Sequence, residues 1–384
     1  RKYMAYCNEA FIELQGAYLF AEIRNRIDAY KKLHSNTNII SLGIGDVTQP
    51  LAPVVIKAMQ KAVFEMGNIE TFRGYGPEQG YSFLREAIVN GDFKSRGIDL
   101  EPSEIFVSDG AKCDVGNMQD IFAESSLVAV TDPVYPVYVD SNVMAGRGGK
   151  FVNGNYQRII YMPCYEECAF KPSLPIHDPQ IIYLCSPNNP TGNDLLRTEI
   201  EKVLNRFEGL VVLDEAYNDF SEAPSFLANL KEYPNLVVLQ TFSKAWGCAA
   251  IRLGMAFASV DIINILNKIK YPYNVNDLTQ KQGMQMLHKH DEIERWVKTL
   301  KEERDYLEAE FEKLPCTIKL FPSDANFFLA KVTDAVKIYN YLVGEGIIVR
   351  NRHSISLCCN CLRVTVGTRV ENNTLLAALK KYQG

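Results

Sequence analysis

No apolar run in this 384-residue chain approaches the roughly 20 residues needed to span a bilayer. The opening stretch, Arg1-Lys2-Tyr3-Met4, lacks the apolar core of a secretory signal. There is no basic excess: 41 Lys and Arg against 46 Asp and Glu give a formal charge of −5. That balance argues against nucleic acid as a partner, and no block of like charge suggests an acidic tail. No pair of CxxC motifs offers a zinc site, and a chain this long needs no disulfide staples. The ten cysteines therefore read as reduced, mostly buried thiols of a cytoplasmic protein. Their one local cluster, Cys358-Cys359-Asn360-Cys361, has no second ligand set, and the five histidines form no metal pattern. A dinucleotide fingerprint is missing too, because Gly43-Ile44-Gly45-Asp46 has no third glycine and no helix directly behind it. What remains is ordinary globular composition, 47% hydrophobic and 23% charged, enough for one large domain or two.

The apolar pattern organises the middle of the chain. Short, near-continuous apolar runs at Ile105–Ser108, Val128–Thr131, Ile181–Cys185, Leu210–Leu213 and Leu236–Leu239 read as buried strands. Helical spacing covers Val54–Met66, Tyr81–Phe93, Asp114–Phe122 and Leu195–Phe207. This alternation predicts an α/β fold with a mostly parallel sheet. After Ile269 the pattern changes. A linker, Tyr271–Asn276, leads to a long charged helix over Asp291–Leu314. Short strands follow at Phe327–Ala330, Ile347–Arg350 and Cys361–Val366, and a closing helix at Asn372–Lys381. The expected layout is an N-terminal arm (1–45, with a helix from Tyr18 through Tyr30), a large domain (46–275) and a small α+β domain (276–384).

Polar residues cluster where the strands end, which is where open α/β sheets bind ligands. Each has an ordinary reading alone: Lys244 as an exposed loop lysine, Asp214 as a turn aspartate, Tyr135 as core packing, Arg363 as a surface ion pair. Together they match the needs of pyridoxal 5'-phosphate chemistry. That chemistry needs a Schiff-base lysine, a carboxylate facing the pyridine nitrogen, an aromatic ring to stack, phosphate donors, and an arginine for the substrate carboxylate. Lys244 supplies the amine and Asp214 the carboxylate. Tyr217 and Asn189 reach the cofactor hydroxyl, and Tyr135 stacks on the ring. Ala111 (through its backbone), Lys112, Ser243 and Arg252 hold the phosphate, and Arg363 takes the carboxylate.

The motifs Asn188-Asn189-Pro190-Thr191-Gly192, Asp214-Glu215-Ala216-Tyr217, Ser243-Lys244 and Arg252-Leu253-Gly254 occur in that order. Through them the chain resembles the fold-type I, class I/II pyridoxal phosphate aminotransferases over essentially its whole length. The resemblance implies a large domain with a seven-stranded sheet, a small α+β domain, and amino-group transfer between an amino donor and a 2-oxo acid acceptor. Residues from about 8 to 187 look like LL-diaminopimelate aminotransferase, carried by Gly16–Phe20, Leu42–Asp46, Gly74–Gly80, Ser108–Lys112 and Asp132–Pro136. From about Ser186 onward the chain is similar to histidinol-phosphate aminotransferase, carried by Gln240–Gly247, Tyr271–Asn276 and Gly346–Thr368, so the whole has a chimera-like character.

The first likeness implies that Tyr18, Gly43, Glu78, Lys112, Tyr135 and Asn189 bind substrate. Glu78 would meet a distal amine across a homodimer interface, and Tyr75 would reach the neighbouring subunit's cofactor phosphate. The second implies that Arg350 lies near a substrate phosphate and that Asn274 lines the site. Most distal-end selectors lie in the first half, so the sequence weighs toward diaminopimelate, with histidinol phosphate as the alternative. Two remoter readings use the same groups: a lyase or decarboxylase, and a cofactor-fold binding protein without turnover.

Overall fold

The computed structural model describes residues 8–15, 27–28, 30–32, 39–45, 50–168, 170–173, 175 and 179–384. Most of the expected helix from Tyr18 lies outside them, as does Tyr18 itself. In chain order the strands are β1 (Ile40–Ser41), β2 (Ile105–Ser108), β3 (Val128–Asp132), a small hairpin of β4 (Phe151–Val152) and β5 (Asn155–Tyr156), β6 (Ile159–Pro163), β7 (Ile181–Cys185), β8 (Leu210–Asp214), β9 (Leu236–Thr241) and β10 (Gly254–Ala258). Seven form one sheet in the order β2-β10-β9-β8-β7-β3-β6. All neighbouring pairs from β9 to β6 are parallel, and β10 runs antiparallel to both β9 and β2.

Alternate residues of these strands feed two separate cores. Val211, Leu213, Leu236, Val238, Met255 and Phe257 pack on one face, and Val212, Val237, Leu239, Ala256 and Ala258 on the other. A strand covered on both faces has no polar side, which is why β7, β8 and β9 read as unbroken apolar runs.

Four strands stand apart as an antiparallel sheet: β11 (Thr317–Leu320), β12 (Phe327–Val332), β14 (Arg350–Asn351) and β15 (Cys361–Thr365), ordered β11-β12-β15-β14. Its core includes Phe311 of helix His290–Phe311 and Leu375 of helix Arg369–Lys381. The single strand expected over Ile347–Arg350 divides. β13 (Ile347–Ile348) pairs in parallel with β1, whereas Arg350 pairs with Arg363 of β15. β1 thus brings the Gly43–Gly45 turn from the front of the chain onto the small sheet.

The helix expected through Phe93 is α-helical only over Ser82–Ile88, then widens into a π turn over Val89–Phe93. The helix after Gly110 is α-helical over Ala111–Asn117 and ends as a 3-10 turn, Met118–Ile121. Besides the two short strands of the hairpin, three strands escape a sequence reading. β10 is built of Gly, Met, Ala and Phe rather than β-branched residues, β6 ends in Pro163, and β11 has two exposed positions among its four. Helix Pro136–Met144 escapes because six of its nine residues are buried, so no polar face betrays it. Among the described residues no helix is long and apolar enough to cross a membrane.

Candidate active site

Lys244 lies on the loop that leaves β9. Phe242 and Trp246 on either side are buried in the core with ring centroids 5.0 Å apart, which pins the loop from below. Gly247, at a φ of +69°, closes the turn by donating its N–H to the Lys244 carbonyl. The Lys244 ammonium donates to the Gly45 carbonyl at 3.0 Å and stands 5.4 Å from the Tyr217 ring centroid. A Cβ placed on Gly45 would lie 3.7 Å from Tyr217 Oη, 3.9 Å from Arg363 Nη2 and 4.0 Å from Lys244 Nζ. Three groups far apart in sequence thus converge on one point. A side chain at position 45 would fill it.

Asp214, at the end of β8, is buried. Its Oδ2 accepts from the Tyr138 hydroxyl at 2.6 Å and its Oδ1 from the Ala216 N–H at 3.0 Å. Burial pushes this carboxyl upward, while the two hydrogen bonds and the Lys244 charge pull it down. Tyr217 is also buried, edge-on to Phe327 at 5.2 Å. Tyr135 precedes helix Pro136–Met144, and burial raises its phenol, with Tyr217, Asp214 and Arg363 close enough to act on it electrostatically.

Arg363 projects from β15 into the same space. It donates to Asn189 Oδ1 at 2.7 Å and to the Gly43 carbonyl at 2.8 Å, while its buried Nε has no partner. Asn189 keeps its amide N–H group as a donor. Gly43 is required for this approach, because a Cβ there would stand 2.9 Å from the Val349 carbonyl oxygen. Arg350 and Arg352 are buried beside Arg363, and both neighbouring guanidiniums act on Arg352, whose Nε also has no partner. Burial and those like charges hold Arg352 well below the usual arginine range. Ser356 donates to Asp132 Oδ2 at 2.7 Å, tying the segment between Arg352 and Cys361 to the end of β3.

A second group of donors is recognisable from one close approach. Gly110, at a φ of +139°, precedes helix Ala111–Asn117, and a Cβ on it would lie 2.6 Å from Arg252 Nη2. Arg252 donates to Ser243 Oγ at 3.4 Å and to the Ala249 carbonyl at 3.0 Å. The backbone of Gly110 and Ala111, the Ser243 hydroxyl and the exposed Arg252 guanidinium therefore form a shallow cationic cup. Lys112 is exposed near it, lowered by partial burial, with Asp140 and Arg252 acting on it.

Not every expected residue joins this group. Tyr75 is 87% exposed and stacks on Tyr273 at 4.5 Å, and Glu78 is exposed beside it. Asn274 donates to Asp109 Oδ1 at 3.3 Å and accepts from Lys270, which puts it beside the loop before Gly110. Its hydrogen bonds run to that loop and not to Arg363. Two residues absent from the expected set belong here. Tyr138 holds Asp214, and its signal was a hydroxyl three residues after Tyr135 in an otherwise apolar stretch. Arg352 lies in the Gly346–Thr368 stretch that carries the second likeness, where it was given no role of its own.

A buried carboxylate, an amine converging with an arginine, and a cationic cup at a helix start fit the charges of pyridoxal 5'-phosphate. Known proteins resemble this chain. A histidinol-phosphate aminotransferase of Bacteroides thetaiotaomicron is 65% identical over 292 residues, covering 74% of this chain and 81% of that protein. An LL-diaminopimelate aminotransferase of Desulfosudis oleivorans is 47% identical over 253 residues, 64% of this chain and 62% of that protein. The first match is longer than the stretch from Ser186 to the C-terminus, so that likeness reaches well into the first half. Among solved structures, the L,L-diaminopimelate aminotransferase from Chlamydomonas reinhardtii superposes with a TM-score of 0.86 at 28% identity over 99% of both chains. The profile of the family described as aminotransferase class I and II matches residues 37–379. The chain belongs to that family, the pyridoxal phosphate-dependent class I and II aminotransferases.

Proposed function

We propose that this transaminase takes histidinol phosphate as its amino donor and returns the amino group to 2-oxoglutarate. The observation that carries the choice is the arginine cluster. Arg350 and Arg363 are paired across two antiparallel strands, where like charges are unfavourable, and Arg352 is buried beside both. Among the described residues, no carboxylate stands among the main groups acting on Arg352 or Arg363. Such a site suits a dianionic phosphate better than a single carboxylate. The 65% and 60% identical relatives named histidinol-phosphate aminotransferase support the same reading. This reverses the preference that the first-half motifs suggested.

Pyridoxal phosphate, when bound, supplies the electron sink. The residues would divide the remaining work. Lys244 Nζ would hold the cofactor at rest and carry the proton taken from the substrate's amine-bearing carbon. Asp214 would meet the pyridine nitrogen, Tyr135 would lie against the ring, and Tyr217 and Asn189 would donate to its hydroxyl. Ala111 N–H, Lys112, Ser243 and Arg252 hold the phosphate. Arg363 grips the 2-oxo acid carboxylate, and Arg350 and Arg352 the substrate phosphate. The small sheet with helix His290–Phe311, proposed as a domain from about residue 276, brings those arginines to the cleft.

Tyr75 and Glu78 suit a homodimer whose sites are shared. Helix Pro53–Met66 and the turn after it expose Ile56, Val63, Phe64, Ile69 and Phe72, with Phe64 80% and Ile69 90% exposed. An apolar stripe of that kind on a protein surface marks an interface, and Tyr75 continues it. A Phe64→Glu substitution is expected to shift the protein to monomer in light scattering and to remove most activity. A fully active monomer would show that Tyr75 and Glu78 are not needed by a neighbouring site.

The second reading, LL-diaminopimelate, rests on exposed Glu78, a carboxylate positioned to meet a distal ammonium from another subunit. Single-turnover mixing of the holoenzyme with each compound separates the two. Conversion of the cofactor to its amine form is expected with histidinol phosphate, and Glu78→Gln should leave that rate within about threefold, as for a side chain outside the substrate contact. Conversion by diaminopimelate alone, strongly reduced in Glu78→Gln, would overturn the choice.

A further inference from the structure

Tyr138 packs deep beneath the candidate site. Its ring is 1% exposed, stacked on Tyr183 at 5.2 Å with a 9° tilt, and edge-on to Tyr135 at 5.6 Å. The Tyr183 hydroxyl accepts from Gln119 Nε2 at 2.9 Å, so the stack is fixed at its far end. That packing leaves the Tyr138 hydroxyl one acceptor of high charge, Asp214 Oδ2 at 2.6 Å.

Asp214 has few means to stay charged. Burial is the largest influence on it, favouring the neutral carboxyl. Oδ1 has a backbone donor from Ala216, and Oδ2 has Tyr138. Lys244 acts on it from the loop after β9, and Cys185 on β7 lies against both Tyr138 and Asp214. Asp114, on helix Ala111–Asn117, is itself pushed up to about 8 by burial, with Asp214 adding to that push. Tyr135 completes the set. Among these groups Tyr138 is the one uncharged side chain hydrogen-bonded to the carboxylate. Without its hydroxyl, Oδ2 would be a buried acceptor with no donor, and the carboxylate would be more basic.

We propose that Tyr138 is a positioning residue that keeps the Asp214 carboxylate ionised and aimed, and so keeps a shared proton on the cofactor's pyridine nitrogen and off Asp214. This rests on the reading of Asp214 as the partner of that nitrogen. The direction follows from basicity: a carboxylate that accepts a phenol hydrogen bond competes less well for the proton.

The test uses apoenzyme of wild type, Tyr138→Phe and Asp214→Asn, each reconstituted with pyridoxal phosphate labelled with ¹⁵N in the ring. Nitrogen chemical shift reads the proton directly, without turnover. In Tyr138→Phe the signal is expected to move toward the unprotonated range. Cofactor affinity and the half-reaction rate with glutamate should fall by about ten- to a hundredfold, the scale of a hydrogen bond to a charged group. A fluorinated tyrosine at position 138, which keeps the ring and strengthens the donor, should hold the signal at the protonated limit at higher pH than wild type. That arm stands even where the phenylalanine variant folds poorly. An unchanged nitrogen shift in both Tyr138 variants, with a changed one in Asp214→Asn, would overturn the proposal alone. An unchanged shift in Asp214→Asn would instead remove the reading of Asp214 on which it rests.

Discussion

In a Lys244→Ala variant, the visible absorbance band of lysine-bound pyridoxal phosphate is expected to disappear, and transamination to fall at least a hundred- to ten-thousandfold. That range is the contribution of one positioned proton-transfer base, before any loss from the missing covalent link. The geometry makes the assignment specific. The chain has another partly buried lysine near the cleft, Lys270, but it lies over the Phe106 ring and donates to Asn274, on the side of Asp109 and Asp114. Lys244 instead shares one point in space with Tyr217 Oη and Arg363 Nη2. The fold should survive the change, because Phe242 and Trp246, not Lys244, anchor the loop in the core. Spectrophotometric titration of the variant with pyridoxal phosphate checks both points. A retained band would mean that another amine makes the link and that Lys244 is misassigned. A small primary amine added to the variant should restore part of the rate, since the truncated side chain leaves room beside Gly45.

The place of Lys244 at a strand end was legible in the sequence because of the sheet it follows. Parallel strands buried on both faces must be apolar throughout, so β7, β8 and β9 announce themselves, and the polar loops after them fall at one edge. The Asn188–Gly192 loop, Asp214 and Lys244 follow three consecutive, adjacent strands, which is why chain order alone brought them together. The misses have the opposite character. β10 carries alanines and a glycine because its neighbours approach closely; a Cβ on Gly254 would lie 2.5 Å from the Gly110 Cα. Such a strand has no propensity signal to read. Tyr138 sits in a largely buried helix, where a polar atom in a core is invisible without its partner. The break between Ile348 and Arg350 depends on which strands lie alongside, a long-range fact. Asn274, expected in the substrate site by family resemblance, is hydrogen-bonded to Asp109 and Lys270. Residues borrowed from a loop, unlike those at strand ends, carry no guarantee of direction.

Arg352 offers the sharpest test of what the enzyme acts on. Its guanidinium is buried, its Nε lacks a partner, and among the described residues the charges that act on it most are two other arginines. An arrangement of that kind costs the substrate-free protein stability, since desolvation and like-charge repulsion both oppose it. An anion that enters removes the cost, and a phosphate dianion removes the most. Replacing Arg352 with methionine, which keeps much of the volume, should therefore separate stability from binding. The melting temperature of the substrate-free variant is expected to be no lower than that of wild type. Its KM for histidinol phosphate should rise by about ten- to a hundredfold, the scale of a lost charge-assisted hydrogen bond, while the half-reaction with glutamate changes far less. Arg363→Met should impair both half-reactions, because Arg363, held by Asn189 and the Gly43 carbonyl, faces the point shared with Lys244 whichever substrate is bound. The contrast between the two variants decides the matter. If Arg352→Met lowers the melting temperature and leaves the KM for histidinol phosphate unchanged, Arg352 is a structural residue, and the phosphate-bearing substrate loses its physical basis.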